Sequence, residues 1–166
     1  MKHPDRISPR AIIPEAIDLC KANITQFLKD AKLLIDNSTL SHAYISVQFA
    51  IEELGKILII REKLAKDTSD PLIIKHEEAF KSHKGKTEKA IQFLGNEFSK
   101  IYDEGFWQDE FFEKGFFKQN TYANHETRCD CAFVDYYASR WRIGRDIKKD
   151  LLIKLIKRIE EKLPEA

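Results

Sequence analysis

From Glu15 to about Asn37 the apolar residues return at three- and four-residue steps: Ile17, Cys20, Ile24, Phe27, Leu28, Ala31, Leu34, Ile35. That period predicts an amphipathic helix, with Pro14 suited to its first turn. The run "DNST" reads as a turn, with Ser38 or Thr39 as a cap for the next helix. A second helix is predicted over Leu40 to Lys66, and its pattern differs. Ala43, Val47, Ala50, Leu54 and Leu58 mark one side, Ile45, Phe49, Ile59 and Ile60 another. A helix apolar nearly all round belongs at the centre of a fold. Gly55 sits inside it, where glycine costs about 1 kcal/mol relative to alanine, so a close helix contact is expected there.

A third helix is predicted from about Glu77 to Asp103, with Phe80, Ala90, Phe93, Leu94, Phe98, Ile101 and Tyr102 inward. Residues 104–120, "EGFWQDEFFEKGFFKQN", form an aromatic-rich excursion, either a plug on the end of the helices or a contact surface. A fourth helix is predicted over Tyr122 to Ser139. The last, Arg145 to Lys162, turns Ile147, Leu151, Leu155, Ile159 and Leu163 inward, with Lys148, Lys149, Lys154, Lys157 and Arg158 on a solvated face. Residues 1–13, broken by Pro4 and Pro9, read as a loose arm. The fold class is all-α: one domain over residues 1–166, a bundle of four to five helices.

Composition narrows the function classes. The chain has 166 residues, 43% of them hydrophobic, and a formal net charge of +1. Disorder and a globally basic nucleic-acid binder are both excluded as readings. Three cysteines, Cys20, Cys129 and Cys131, lack zinc-knuckle spacing and suit a reducing compartment. The longest aliphatic run, "ILII" at 57–60, is far short of a membrane span, and the N-terminus has no signal-peptide core. The expectation is a soluble, cytoplasmic protein with no membrane partner, no metal and no cofactor.

Several polar residues break the pattern. Glu52, Glu53 and Lys56 fall in the sector of the central helix that also holds Ile45, Phe49 and Ile60. Charges there need partners. "FKSHKGK" sets His83 and Lys86 one turn apart on the third helix, and "RCDCAFVDYY" sets Arg128 and Asp135 two turns apart on the fourth. Such a polar layer is either a structural network or a functional cleft.

These segments also carry a resemblance. "AIEELGK" at 50–56, "HKGK" at 83–86 and "RCDCAFVD" at 128–135, followed by Trp141, resemble the AbiV family of abortive-infection proteins. The match covers roughly residues 15–142, and its first motif is the most specific. It implies an HEPN-like helical bundle, homodimerisation and a role in defence against phage. Many HEPN proteins are metal-independent ribonucleases. The family's polar positions fall on Glu52, Glu53, Lys56, His83, Lys86, Arg128 and Asp135. No arginine here has a histidine four to six intervening residues later, the usual HEPN ribonuclease pattern; Arg128 meets Phe133, Val134 and Asp135 instead.

Two mechanisms fit. In the first, RNA is cleaved: His83 serves as base or acid, Lys56, Lys86 and Arg128 hold phosphate, and Glu53 and Asp135 orient them. In the second, the polar layer only fixes helix register or a dimer. The protein then binds a phage or host protein, through the aromatic stretch around Trp107 and Phe111, and blocks an essential process such as translation.

Overall fold

The computed structural model describes residues 6–74, 82–98, 134–137, 140–143 and 147–166, with residues 6–8, 134–137 and 140–143 as backbone. The excursion at 104–120, most of the predicted fourth helix, and Arg128 lie outside the described residues.

The structure is an all-α helical bundle, with two small β-ribbons among the described residues. Helix α1 (Ile13–Asp36) and helix α2 (Leu40–Lys66) form an antiparallel hairpin. One stripe of α1 is buried: Ile13, Ile17, Ile24, Leu28, Ala31 and Ile35. A fully buried Ile24 or Leu28 contributes about 1.5–3 kcal/mol by leaving water. Helix α2 buries residues on nearly every side because it packs against α1, against α3 (His83–Leu94) and against α4 (Lys149–Lys162). This matches its central place in the sequence pattern. Among the described residues no helix is long and apolar enough to cross a membrane.

The α1–α2 turn is built differently from the expected side-chain cap. Thr39 N–H donates to Leu34 O at 2.8 Å and Ser38 N–H to Ile35 O at 3.0 Å. This is a Schellman closure of α1. It places Ser38 in the left-handed region, at φ +60°. Thr39 is at the N-cap of α2, but its hydroxyl donates back to Asn37 O at 3.4 Å instead of accepting from the helix.

The N-terminal arm is held from Arg6 onward, which corrects the loose arm. Strand β1 (Arg6–Ser8) pairs antiparallel with β2 (Leu72–Ile74), and a 3-10 turn (Arg10–Ile12) leads into α1. The reason is a helix end. Arg10 donates to Asp67 O at 2.7 Å and Leu64 O at 3.2 Å, carbonyls that the end of α2 leaves without helical partners. Its own N–H donates to Asp70 Oδ1 at 3.1 Å.

Helix α3 is shorter than predicted. It starts at Ser82, whose Oγ accepts from Gly85 N–H at 3.0 Å, and stops at Gly95, φ +92°. Arg158 of α4 donates to Leu94 O at 3.1 Å and so caps that end. Ala90, Leu94 and Phe98 are buried as expected. Helix α4 begins at Lys149 rather than Arg145; Leu152 and Ile156 join Leu155 and Ile159 in its buried face.

A second correction concerns the predicted fourth helix. Val134–Tyr137 (β3) and Arg140–Ile143 (β4) are antiparallel strands, in register Val134↔Ile143, Asp135↔Arg142, Tyr136↔Trp141 and Tyr137↔Arg140. Val, Tyr, Trp and Ile favour a pleated surface. Asp135 therefore lies on a strand, and the expected helical spacing from Arg128 reaches outside the described residues.

Ser38 gives a direct test. A non-glycine residue in the left-handed region costs about 1 kcal/mol. Ser38→Gly should stabilise the protein by about 0.5–1 kcal/mol after glycine's larger unfolded-state entropy is offset. Thermal unfolding should show Tm raised by about 1–4 °C, and a lowered Tm would contradict the assignment of this turn.

Candidate functional site

Four-residue steps along α2 carry Tyr44, Gln48 and Glu52 into the interior. All three are buried, and Gln48 Nε2 donates to Tyr44 OH at 2.8 Å. This polar stripe ends beside Gly55. A Cβ on Gly55 would lie 1.8 Å from Lys86 O and 2.4 Å from its carbonyl carbon. The missing side chain is what lets α3 lie directly on α2.

The contacts then advance in the same direction along both helices: Glu52 with His83, Gly55 with Lys86, Glu62 with Lys89. Helix α3 thus runs parallel to α2, with its first turn against the polar stripe. His83 and Lys86, three residues apart, reach one carboxylate oxygen. Glu52 Oε2 is 2.6 Å from His83 Nδ1 and 3.2 Å from Lys86 Nζ. Glu52 is 8% exposed and Lys86 5%, whereas the His83 side chain is 48% exposed.

The chemistry follows from the donors. An ionised carboxylate only accepts hydrogen bonds, so the short contact needs the proton on His83 Nδ1. In the neutral ring the basic lone pair then sits on Nε2. A carboxylate that holds an imidazole in one tautomer is the arrangement used to orient a general base. Lys86, nearly sealed from water, balances the Glu52 charge.

Glu53 and Lys56 go elsewhere. Adjacent residues on a helix diverge by about 100°, so Glu53 turns from the α3 side to the α1 side. Its Oε1 accepts from Lys56 Nζ at 2.5 Å. The pair lines an open groove of about 520 Å³ with Leu19, Cys20, Asn23 and Gln26 of α1. Burial pushes the Cys20 thiol up to about 11, and the Glu53 carboxylate beside it adds to the rise. Cys20 therefore stays protonated at neutral pH.

The predicted residues thus separate. Glu52, His83 and Lys86 meet in one cluster, while Glu53 and Lys56 pair in a neighbouring groove. Asp135 lies on β3, not on a helix. Arg128 is outside the described residues. Tyr44 and Gln48 were not among the predicted residues, although their four-residue spacing from Glu52 is visible in the sequence. Among the described residues no three His, Cys, Asp or Glu side chains gather where they could hold a metal ion.

A family model described as AbiV, of the HEPN class, matches residues 12–163. The chain belongs to the AbiV family. No curated protein and no solved structure matches it. Membership connects this AbiV chain with abortive-infection defence. Two of the three polar segments that carry the resemblance, 50–56 and 83–86, supply both the cluster and the neighbouring pair, and in this AbiV chain Gly55 is what docks α3.

The buried and the half-exposed members of the cluster respond differently to mutation. Glu52→Ala removes the carboxylate facing a buried ammonium and should destabilise by about 3 kcal/mol. His83→Ala, at a half-exposed ring, should cost no more than about 1 kcal/mol. Urea unfolding of both variants checks this, and an equal loss in the two would assign His83 a structural role.

Proposed function

We propose that this chain is a cytoplasmic abortive-infection effector that acts as a metal-independent endoribonuclease. The observation that supports it is the Glu52–His83 contact, which orients a half-exposed imidazole at the first turn of α3. Attack of the 2′-hydroxyl on the adjacent phosphorus needs a base for the hydroxyl proton. It also needs positive charge near the phosphorane and an acid for the leaving 5′-oxygen. In this reading His83 Nε2 takes the proton as the P–O bond to the 2′-oxygen forms, and the bond to the 5′-oxygen breaks as that oxygen takes a proton from water. The products are a 2′,3′-cyclic phosphate and a 5′-hydroxyl. Glu52 holds the ring and steadies the imidazolium. Lys86 offsets Glu52 rather than touching RNA. A homodimer, implied by the family, would bring two such sites into one assembly.

A second reading is favoured by the burial of Lys86 and its backbone contact with Gly55. Here the cluster is a lock for α3, and the chain is a non-catalytic module that binds a phage or host protein and blocks translation.

RNA cleavage by purified protein in EDTA separates the two. The enzyme reading predicts cyclic-phosphate ends and a loss of about 100-fold or more in His83→Ala, with Tm nearly unchanged. Intact RNA after incubation with folded protein, or full cleavage by His83→Ala, would favour the lock.

A further inference from the structure

The parallel course of α2 and α3 builds a second feature beside the cluster. Past Gly55, the last two turns of α2 and the middle of α3 enclose a groove of about 550 Å³. Lys63, Lys66, Lys89 and two carboxylates, Glu62 and Glu88, line it, with Ser82 and Gly85 from the first turn of α3. Glu62 is held at its centre. Its Oε1 accepts from Lys66 Nζ at 2.6 Å and its Oε2 from Lys89 Nζ at 2.5 Å. Lys63 pairs at 3.2 Å with Asp67, at the end of α2.

Two oxygens of one anion, each taking an ammonium from a different helix, is also how a phosphodiester would sit between Lys66 and Lys89. Ser82 and Gly85 belong to the same first turn of α3 as His83, so the groove starts at that turn, while the imidazole itself is turned to Glu52. We propose that this groove binds the phosphate backbone of single-stranded RNA, with Glu62 as a resident anion that the phosphate displaces. The inference rests on the RNA reading above and adds the surface that leads the strand to His83.

The exchange is physically accessible. The lysines beside Glu62 hold its carboxyl down to about 2, so it is ionised at every physiological pH. Yet all three side chains are more than a third exposed, and ion pairs so exposed are weak. A backbone phosphodiester brings the same single negative charge, and its neutralisation releases counterions from the RNA. Glu62 thus tunes affinity: it keeps Lys66 and Lys89 together and screens them from weak anions.

The test uses the full chain and a fluorescein-labelled single-stranded RNA with 2′-O-methyl sugars, which cannot be cut. Anisotropy titrations are run at several salt concentrations. Lys66→Ala/Lys89→Ala should bind at least tenfold more weakly. Its slope of log affinity against log salt should shrink by about 1.4, from about 0.7 per lost phosphate contact on a single strand. Glu62→Gln, which frees both lysines, should bind at least threefold more tightly. Lys148→Ala/Lys149→Ala, on the exposed start of α4, should match the wild type. Circular dichroism confirms folding of each variant.

Wild-type affinity in the double lysine variant, weaker binding by Glu62→Gln, or no RNA binding by the wild type would each overturn the proposal. Parallel incubation with unmodified RNA separates it from the enzyme reading. Groove-dependent binding without cleavage leaves the groove standing and removes the ribonuclease. Cleavage at wild-type rates by the lysine variant does the reverse.

Discussion

The approach of the α3 backbone to Gly55 is the constraint on which the rest depends. A methyl group at that position would overlap the Lys86 carbonyl, so no other residue type allows α3 to lie where it does. From that contact the register follows in both directions. Three residues back along each helix, His83 meets Glu52; further on, Lys89 meets Glu62. The helical cost of a mid-helix glycine, about 1 kcal/mol, is offset by the packing it permits.

The same geometry distributes charge. Glu52 and Glu53 are adjacent in the chain but serve different helix pairs, one facing α3 and the other α1. Glu52 is buried between an ammonium and an imidazole, a setting in which each group depends on the others to stay satisfied. Glu53 shares its groove with a thiol held protonated. The exposed end of α3 carries the half-open imidazole, and next to it lies the lysine-lined groove. The imidazole and the lysines that bridge Glu62 thus belong to one pair of helices, with the buried part of the layer as their support.

Much of this was legible from periodicity. The near-isotropic apolar pattern of residues 40–66 placed α2 at the centre, and the bounds of that helix are those read from the pattern. Gly55 was readable as a contact point because nothing local favours glycine there. His83 and Lys86 were readable as partners of the α2 glutamates. What escaped depends on long-range geometry. One shared sector for Glu52, Glu53 and Lys56 ignored the divergence of neighbouring side chains. The hold of Arg10 on the end of α2 links positions more than fifty residues apart and leaves no local signature. Residues 134–143 contain polar residues at helical spacing, but their aromatic and β-branched content, which favours strands, was the stronger signal. The buried Tyr44–Gln48 pair was hidden because tyrosine and glutamine are common on helix surfaces, and only the stripe leading to Glu52 marks them.

The central claim is that docking at Gly55 makes Glu52 grip His83 through Nδ1. Long-range ¹H–¹⁵N correlation NMR of the imidazole, at a pH where the ring is neutral, reports which nitrogen carries the proton. The account predicts His83 with its proton on Nδ1 in the wild type, and a mixed or Nε2-protonated ring in Gly55→Ala. Protonation of Nε2 in the wild type would point a bare Nδ1 lone pair at the Glu52 carboxylate. It would contradict the account.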